Sequence, residues 1–331
     1  MILISIAVSL GRGANVELSL IKHSLGKIQS KYFAWAGLIF AIEQIRADSL
    51  DEESKGYDTL YLCGIGAAND RRPRELFESQ NIGKGTFSIS FQEDDNIRYG
   101  FRDEERFLNL NGLTRDNIKV FIELLNILGF DDVEAKTIGY SVLDWIDDDN
   151  EVSDDVYGAE DDYYQGLSMS YNTKNLPLDS KEELLLVRGM TGEIYKKLKE
   201  YITVYPSGKQ LGINFNTADE KVLRALARSM AGPATNTTIT DADNMVNKIL
   251  DYRLGSDGQA FTKDDESVDM NEIPFSAPER VLFLVIKQYQ KEASSFFRVQ
   301  VEGRENVRNI KTRIEAVIDK QDLSIVYWNR T

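Results

Sequence analysis

Apolar residues recur at helical spacing through the opening of the chain, at Leu18, Ile21, Leu25, Ile28, Tyr32, Phe33, Ala36, Ile39, Phe40 and Ile45, and no proline interrupts them. The pattern predicts one long helix over residues 1–47, strongly apolar at its start and amphipathic later. Strands are expected at 59–65 and 86–91, the second because Phe87, Ile89 and Phe91 alternate with Ser88 and Ser90. The middle of the chain changes period. Short helical patterns fall at 117–128, 136–146, 181–187, 193–201, 218–230 and 242–252, with Thr217 and Asp241 at expected N-caps. Strand patterns return at 296–302, 313–318 and 323–328, while 279–289 reads equally as helix or strand.

The order is long helix, strands, helical block, strands, which is an α+β arrangement. A sheet drawing strands from both sides of a helical block makes that block an insertion. The expected division is 1–108 for the helix and first strands, 109–278 for the inserted α-helical domain, and 279–331 for the strands that complete the sheet.

Charge narrows the function classes. The 331 residues carry a formal charge of −15. Nucleic-acid affinity comes largely from cations placed against phosphates, so this balance disfavours that partner and an anionic membrane surface, and it favours a cation. A single cysteine, Cys63, rules out an intrachain disulfide, and with a single histidine, His23, it leaves no Cys/His zinc cluster. His23 lies in a helical pattern without a nearby serine–acid arrangement, so a histidine-dependent triad has no basis here. Gly64-Ile-Gly66 and Gly83-Lys-Gly85 are turn glycines whose spacing fits neither phosphate-cradling motif. The opening run Met1-Ile-Leu-Ile-Ser-Ile-Ala-Val-Ser-Leu10 is ten residues, about half a bilayer span, and reads as the second half of a membrane helix.

The densest charge lies between Asp144 and Asp162, with ten acidic side chains in nineteen residues and neither lysine nor arginine. Such a run is ordinarily a solvated face. Here Trp145, Ile146, Tyr157, Tyr163 and Tyr164 are interleaved with the acids and anchor the segment to a core, and Asn150 and Gly158 permit tight turns. Calcium accepts six to eight oxygen ligands in flexible geometry and would cancel the repulsion, whereas magnesium demands a stricter octahedron. Asp149, Glu151, Ser153, Asp155 and Glu160 fall at EF-hand positions 1, 3, 5, 7 and 12, but Asp154 stands where the sixth position needs glycine. An irregular site is therefore expected. Asp147, Asp149 and Glu151 supply part of the shell, Asp155 is a further candidate, and Glu160 or Asp161 closes it from the far side. Lys263-Asp-Asp-Glu266 reads as an exposed turn.

Several stretches resemble, in order, the minor pseudopilin K family of type II secretion. They are Tyr32-Phe-Ala-Trp-Ala-Gly-Leu-Ile-Phe-Ala41, then Gly100-Phe-Arg-Asp-Glu-Glu-Arg-Phe-Leu-Asn-Leu-Asn111, then Asp144-Trp-Ile-Asp-Asp-Asp149 with Gly158-Ala-Glu-Asp-Asp-Tyr-Tyr164. Glu182-Glu-Leu-Leu-Leu-Val-Arg-Gly-Met190, Ile213-Asn-Phe-Asn-Thr-Ala218 and the ending Tyr327-Trp328 complete the set. The resemblance implies a pilin-like long helix packed on an antiparallel sheet, with a large inserted domain of sterile-alpha-motif-like or helix-hairpin-helix-like subdomains and a calcium site. It implies a non-enzymatic place at the tip of the pseudopilus, beside two other minor pseudopilins (I-like and J-like) and above the major pseudopilin, in protein export across the outer membrane. A secreted substrate is a further partner it admits, and nucleic acid is not one. The location implied is the inner membrane, single-pass through the N-terminal helix, with the globular part in the periplasm. The family's basic leader and glycine cleavage point have no counterpart in this sequence. Two alternatives are a periplasmic calcium-dependent module that recognises secreted proteins and a helix-hairpin-helix nucleic-acid protein, the second opposed by the acidic balance.

Overall fold

The computed structural model describes residues 2–50, 59, 73–93, 96–208 and 210–331, with the side chains of 2–14 left aside. The strand expected at 59–65 lies outside the described residues apart from Thr59, as do Cys63 and Gly64-Ile-Gly66. The chain divides into two compact units: Met1–Lys55, Leu62–Arg102 and Phe297–Thr331 in the first, Gly56–Tyr61 and Asp103–Phe296 in the second.

In the first unit, helix α1 runs Ile2–Leu50 and a short α2 runs Pro73–Phe77. The sheet alongside them is antiparallel wherever its register is defined. Strand Gly85–Glu93 pairs with Gln80–Ile82, with Asn96–Tyr99 and with Phe296–Glu305, in the register Ile89↔Val301. Phe296–Glu305 neighbours Ile310–Asp319, which pairs with the edge strand Ile325–Arg330 in the register Ala316↔Trp328. Strands from before and after the intervening block thus share one sheet. Phe87, Ile89 and Phe91 point into the core and Ser88 and Ser90 away from it, as the alternation demands.

Helix α1 carries two apolar faces. Ala34, Leu38, Ala41 and Ile45 are fully buried in one cluster with Phe77, Phe87, Ile89, Phe297, Val299 and Val301. Leu18, Ile21, Leu25, Ile28, Tyr32 and Ile39 are all exposed. At 100° per residue these two sets lie on opposite sides of the helix. The sheet is covered by one stripe, and the other is left outward.

The second unit is predominantly helical: α3 (Ile118–Ile127), α4 (Asp132–Ile146), α5 (Asp161–Gln165), α6 (Gly192–Leu198), α7 (Glu220–Met230), α8 (Ile239–Arg253) and α9 (Ala277–Ile286). Residues 279–289, ambiguous by period, are therefore mostly helix, fixed by a capping box between Ser276 and Glu279 with Pro278 in the first turn. The segment expected as a helix at 181–187 is a 3₁₀ helix, Lys181–Leu186. Two caps differ from expectation. Asp219 caps α7 by accepting from the Lys221 N–H at 2.8 Å, while Thr217 donates its hydroxyl to Asp103 at 2.5 Å. Thr238 caps α8, and Asp241 is its reciprocal partner in the box, accepting from the Thr238 N–H at 2.8 Å. In both helices the neighbouring polar side chain was the better placed acceptor.

Two short parallel ladders close this unit, Leu108–Asn109 with Ile202–Thr203 and Ile213–Asn214 with Gln290–Lys291. Asn109, Asn111 and Asn216 beside them are buried and donate to backbone carbonyls, whereas Asn214 donates to Asp103 and Ser294. Asn111 Nδ2 donates to the carbonyls of Leu178 and Val204 at 3.0 and 2.8 Å, and its Oδ1 accepts from Leu178 N–H at 2.7 Å. One amide thereby ties three segments together.

Candidate metal site

Helix α4 starts at a full capping box, Asp131 with Glu134, and ends at Asp147, whose backbone is extended. From there residues 147–160 loop out and return to α5. The loop closes on one side chain. Asp144, fully buried in the last turn of α4, accepts from the Ser153 N–H at 2.8 Å on Oδ1 and from the Ala159 N–H at 2.7 Å on Oδ2. Gly158 makes this approach possible, since a Cβ there would stand 2.4 Å from Asp144 Oδ2. Asp154 forms the inner turn by accepting from Val156 and Tyr157 N–H at 2.9 and 3.1 Å. Beneath the loop, Trp145, Tyr164 and Tyr171 pack with ring centroids 5.3 to 6.2 Å apart. Arg188 donates to the Gly158 carbonyl at 2.7 Å and lies over Tyr163.

With the loop held this way, oxygens of Asp147, Asp149 and Glu160 come within 4.8 Å of one another, the one such carboxylate group among the described residues. Glu160 is 5 % exposed, and neither of its oxygens has a hydrogen-bond partner; Asp147 Oδ1 is likewise buried and unpartnered. Asp149 is exposed and accepts from the Glu151 N–H at 2.8 Å. A cavity of about 200 Å³ adjoins the group, lined among others by Leu113, Arg115, Ile146, Asp147 and Asp149.

The other three expected ligands are placed differently. Glu151 points into solvent, its backbone used by the Asp149 turn. Asp155 is exposed. Asp161 accepts from the Thr173 N–H and hydroxyl at 2.8 and 3.1 Å, so its carboxylate pins the segment after α5. Sequence reasoning missed Asp144 as the clamp, although Gly158 signals a close approach. It also missed Arg115 and Asn175, which nothing local marks. Asn175 donates to the Asp149 carbonyl at 2.9 Å. In the turn at Lys263-Asp-Asp-Glu266, Asp264 accepts from Ser256, Asp257 and Thr262 at 2.7 to 3.0 Å, bonds that hold it well below the usual carboxylate range.

Burial pushes Glu160 up to about 7, opposed by the nearby Thr173 hydroxyl, which in the structure donates to Asp161 instead, and reinforced by Asp144, Asp147 and Asp149. Burial likewise lifts Asp147 to about 6, with Asp149 and Asp144 next and Arg115 opposing. Three converging carboxylates, with buried oxygens that no donor reaches, could hold a hard divalent cation. The sign of the pH dependence follows. Because both groups are raised in the folded state, their contribution to metal-free stability is fully present below about pH 4 and is lost as pH rises through 6 to 7. Metal binding needs the ionised forms and runs the other way. In excess chelator the melting temperature is expected to fall by a few degrees between pH 5.5 and 8. The increment given by calcium should grow over the same range, and thermal scans at four pH values read both slopes.

The profile of type II secretion system (T2SS), protein K, matches residues 106–207. The type II secretion system protein K of Aeromonas hydrophila is 35 % identical over 140 residues, 38 % of this chain and 42 % of that protein. The protein of the same name from Klebsiella pneumoniae is 26 % identical over 204 residues, 59 % of this chain and 55 % of its own length. The chain spans about half the length of the curated relatives it matches. A crystal structure of a GspK-GspI-GspJ complex from the type 2 secretion system of enterotoxigenic Escherichia coli has the same fold. Its TM-score is 0.65, covering 94 % of this chain and 99 % of the matched chain at 17 % identity.

Proposed function

We propose, from the match of residues 106–207 to type II secretion system protein K and from the relatives of that name, that this chain is a minor pseudopilin working by assembly and without chemistry at the tip of a pseudopilus. Its partners in this reading are an I-like and a J-like minor pseudopilin, as in the complex whose fold it shares, with the major pseudopilin below them. The long helix on its sheet is taken as pilin-like and the second unit as a sterile-alpha-motif-like insertion. In this reading the globular part lies in the periplasm with an inner-membrane anchor; no helix among the described residues is long and apolar enough to cross a membrane.

The observation that carries the assembly reading is the outward stripe of α1. Ile21, Ile28, Tyr32 and Ile39 are 53 to 66 % exposed in a row spaced by 7, 4 and 7 residues, on the side opposite the chain's own core. A helix with a second apolar face is suited to pack against other helices, and a continuous patch of this kind rarely faces water in a finished assembly. The Ile28→Glu/Tyr32→Glu variant is expected to weaken capture by the I-like and J-like pair at least tenfold while leaving the melting temperature within about 2 °C, because neither residue supports the sheet. Co-purification of the three chains reads the first and thermal scanning the second. Undiminished capture would remove this face from the interface.

In the same reading calcium is held by Asp147, Asp149 and Glu160. The ion supplies the positive charge that lets three carboxylates stay ionised together, and it joins the two ends of the 147–160 loop. Its role is to stabilise the helical unit.

A further inference from the structure

We infer that Arg115 is a resident counter-charge that competes with the divalent ion for Asp149, lowering the affinity of the site while holding its loop in the metal-free state. The inference rests on the calcium reading above. Arg115 lies in the turn before α3, and that turn is fixed: Thr114 N–H donates to Asn117 Oδ1 at 2.7 Å, and Asn117 Nδ2 to the Gly112 carbonyl at 3.0 Å. From there the guanidinium reaches over the cavity to the loop. Its Nη2 is 3.9 Å from Asp149 Oδ2 and 3.5 Å from the Glu151 carbonyl.

The three carboxylates are therefore not equivalent. Both oxygens of Glu160 and one of Asp147 are buried with nothing donating to them. Asp149 has both oxygens engaged, Oδ1 by the Glu151 N–H and Oδ2 by Arg115. A guanidinium stays charged at every accessible pH, so it can yield Asp149 only by moving. Nothing prevents that movement. The contacts are long, and the Arg115 side chain is 56 % exposed.

The two nearby cations are committed elsewhere. Arg188 donates to the Gly158 carbonyl at 2.7 Å and covers Tyr163, while Lys174 is paired with Asp179 and Glu183 at 2.8 and 2.7 Å. Neither is paired with Asp149, so among the described residues the displaceable positive charge paired with this carboxylate group is Arg115. A monovalent charge a few ångströms from a divalent ion, in a largely aqueous dielectric, corresponds to roughly a tenfold change in affinity.

The test is calorimetric titration of calcium into the full, chelator-treated chain at fixed pH and salt, with melting curves in chelator and in saturating calcium. Arg115→Gln is expected to bind calcium about tenfold more tightly than the parent, and Arg115→Lys to stay within about threefold of it. In chelator Arg115→Gln should melt lower, and the gap should close with calcium. Arg115→Met keeps the apolar stem and serves if the glutamine variant folds poorly. Binding by the glutamine variant alone would also support the inference. Equal or weaker binding by it, with the parent binding normally, overturns this role of Arg115 and leaves the calcium site standing. Absence of binding by both chains overturns the calcium reading and this inference with it.

Discussion

Glu160→Gln should melt higher than the parent chain in excess chelator at pH 7.5, and should no longer respond to calcium. The two signs come from one fact. Glu160 is 95 % buried with no donor on either oxygen, and its pKa stands at about 7, so holding it ionised opposes folding. Replacing the charge by an amide of the same shape relieves about 2 kcal/mol, which in a unit of this size is roughly 4–8 °C. The parent recovers that and more when a cation arrives: saturation at a hundred times the dissociation constant contributes about 2.7 kcal/mol, or roughly 5–10 °C. The melting order of the two proteins therefore inverts between chelator and calcium. Magnesium should give a clearly smaller rise, because three carboxylates on a loop do not impose a tight octahedron. A glutamine variant that melts below the parent in chelator, or that still gains several degrees with calcium, would end the assignment of Glu160 as a ligand.

Asp144→Ala should be the most damaging single change in the loop, destabilising the chain by about 3–5 kcal/mol, although Asp144 is not one of the three converging carboxylates. Its two oxygens take the Ser153 and Ala159 N–H groups from the two limbs of the loop, both at 2.8 Å or less. Alanine removes both acceptors at once and leaves two inward amides without a partner, at about 1–3 kcal/mol each. Asp144→Asn retains one carbonyl oxygen and is expected to lose about half as much. With the limbs released, Asp147 and Glu160 no longer converge, so the calcium response should vanish in the alanine variant and persist, reduced, in the asparagine one. Urea unfolding with and without calcium measures both. A loss below 1 kcal/mol for alanine would show that the loop is held by its aromatic base alone.

Some of this was legible in the sequence because the signals are local. The alternation through Phe87, Ile89 and Phe91 requires a strand with one buried face, and the helical spacing through Leu18, Ile21, Leu25 and Ile28 requires a helix, whatever the rest of the chain does. The charge density from Asp144 to Asp162 marks a segment that a cation would suit. Caps were legible only to within a few residues. Thr217 and Asp219 are both competent acceptors, and the choice fell to Asp219 because a distant residue, Asp103, takes the Thr217 hydroxyl.

What the tertiary structure alone decided is which members of each set do what. Six acids of similar chemistry were candidates. Burial of Glu160, the extended backbone at Asp147 and the diversion of Asp161 to Thr173 sort them by position in space, which adjacent positions in a sequence do not encode. Asp144 and Arg115 belong to this second group. One is separated from its partners by 9 and 15 residues and the other from its nearest carboxylate by 34, so only a folded chain brings them together. The two faces of α1 divide in the same way. The sequence determined that the helix is apolar on more than one side, and the sheet, by covering Ala34, Leu38, Ala41 and Ile45, decided which side remains outward. Periodicity is a property of the backbone and can be read in one dimension. Partner choice is set by distances between segments, which exist only in three.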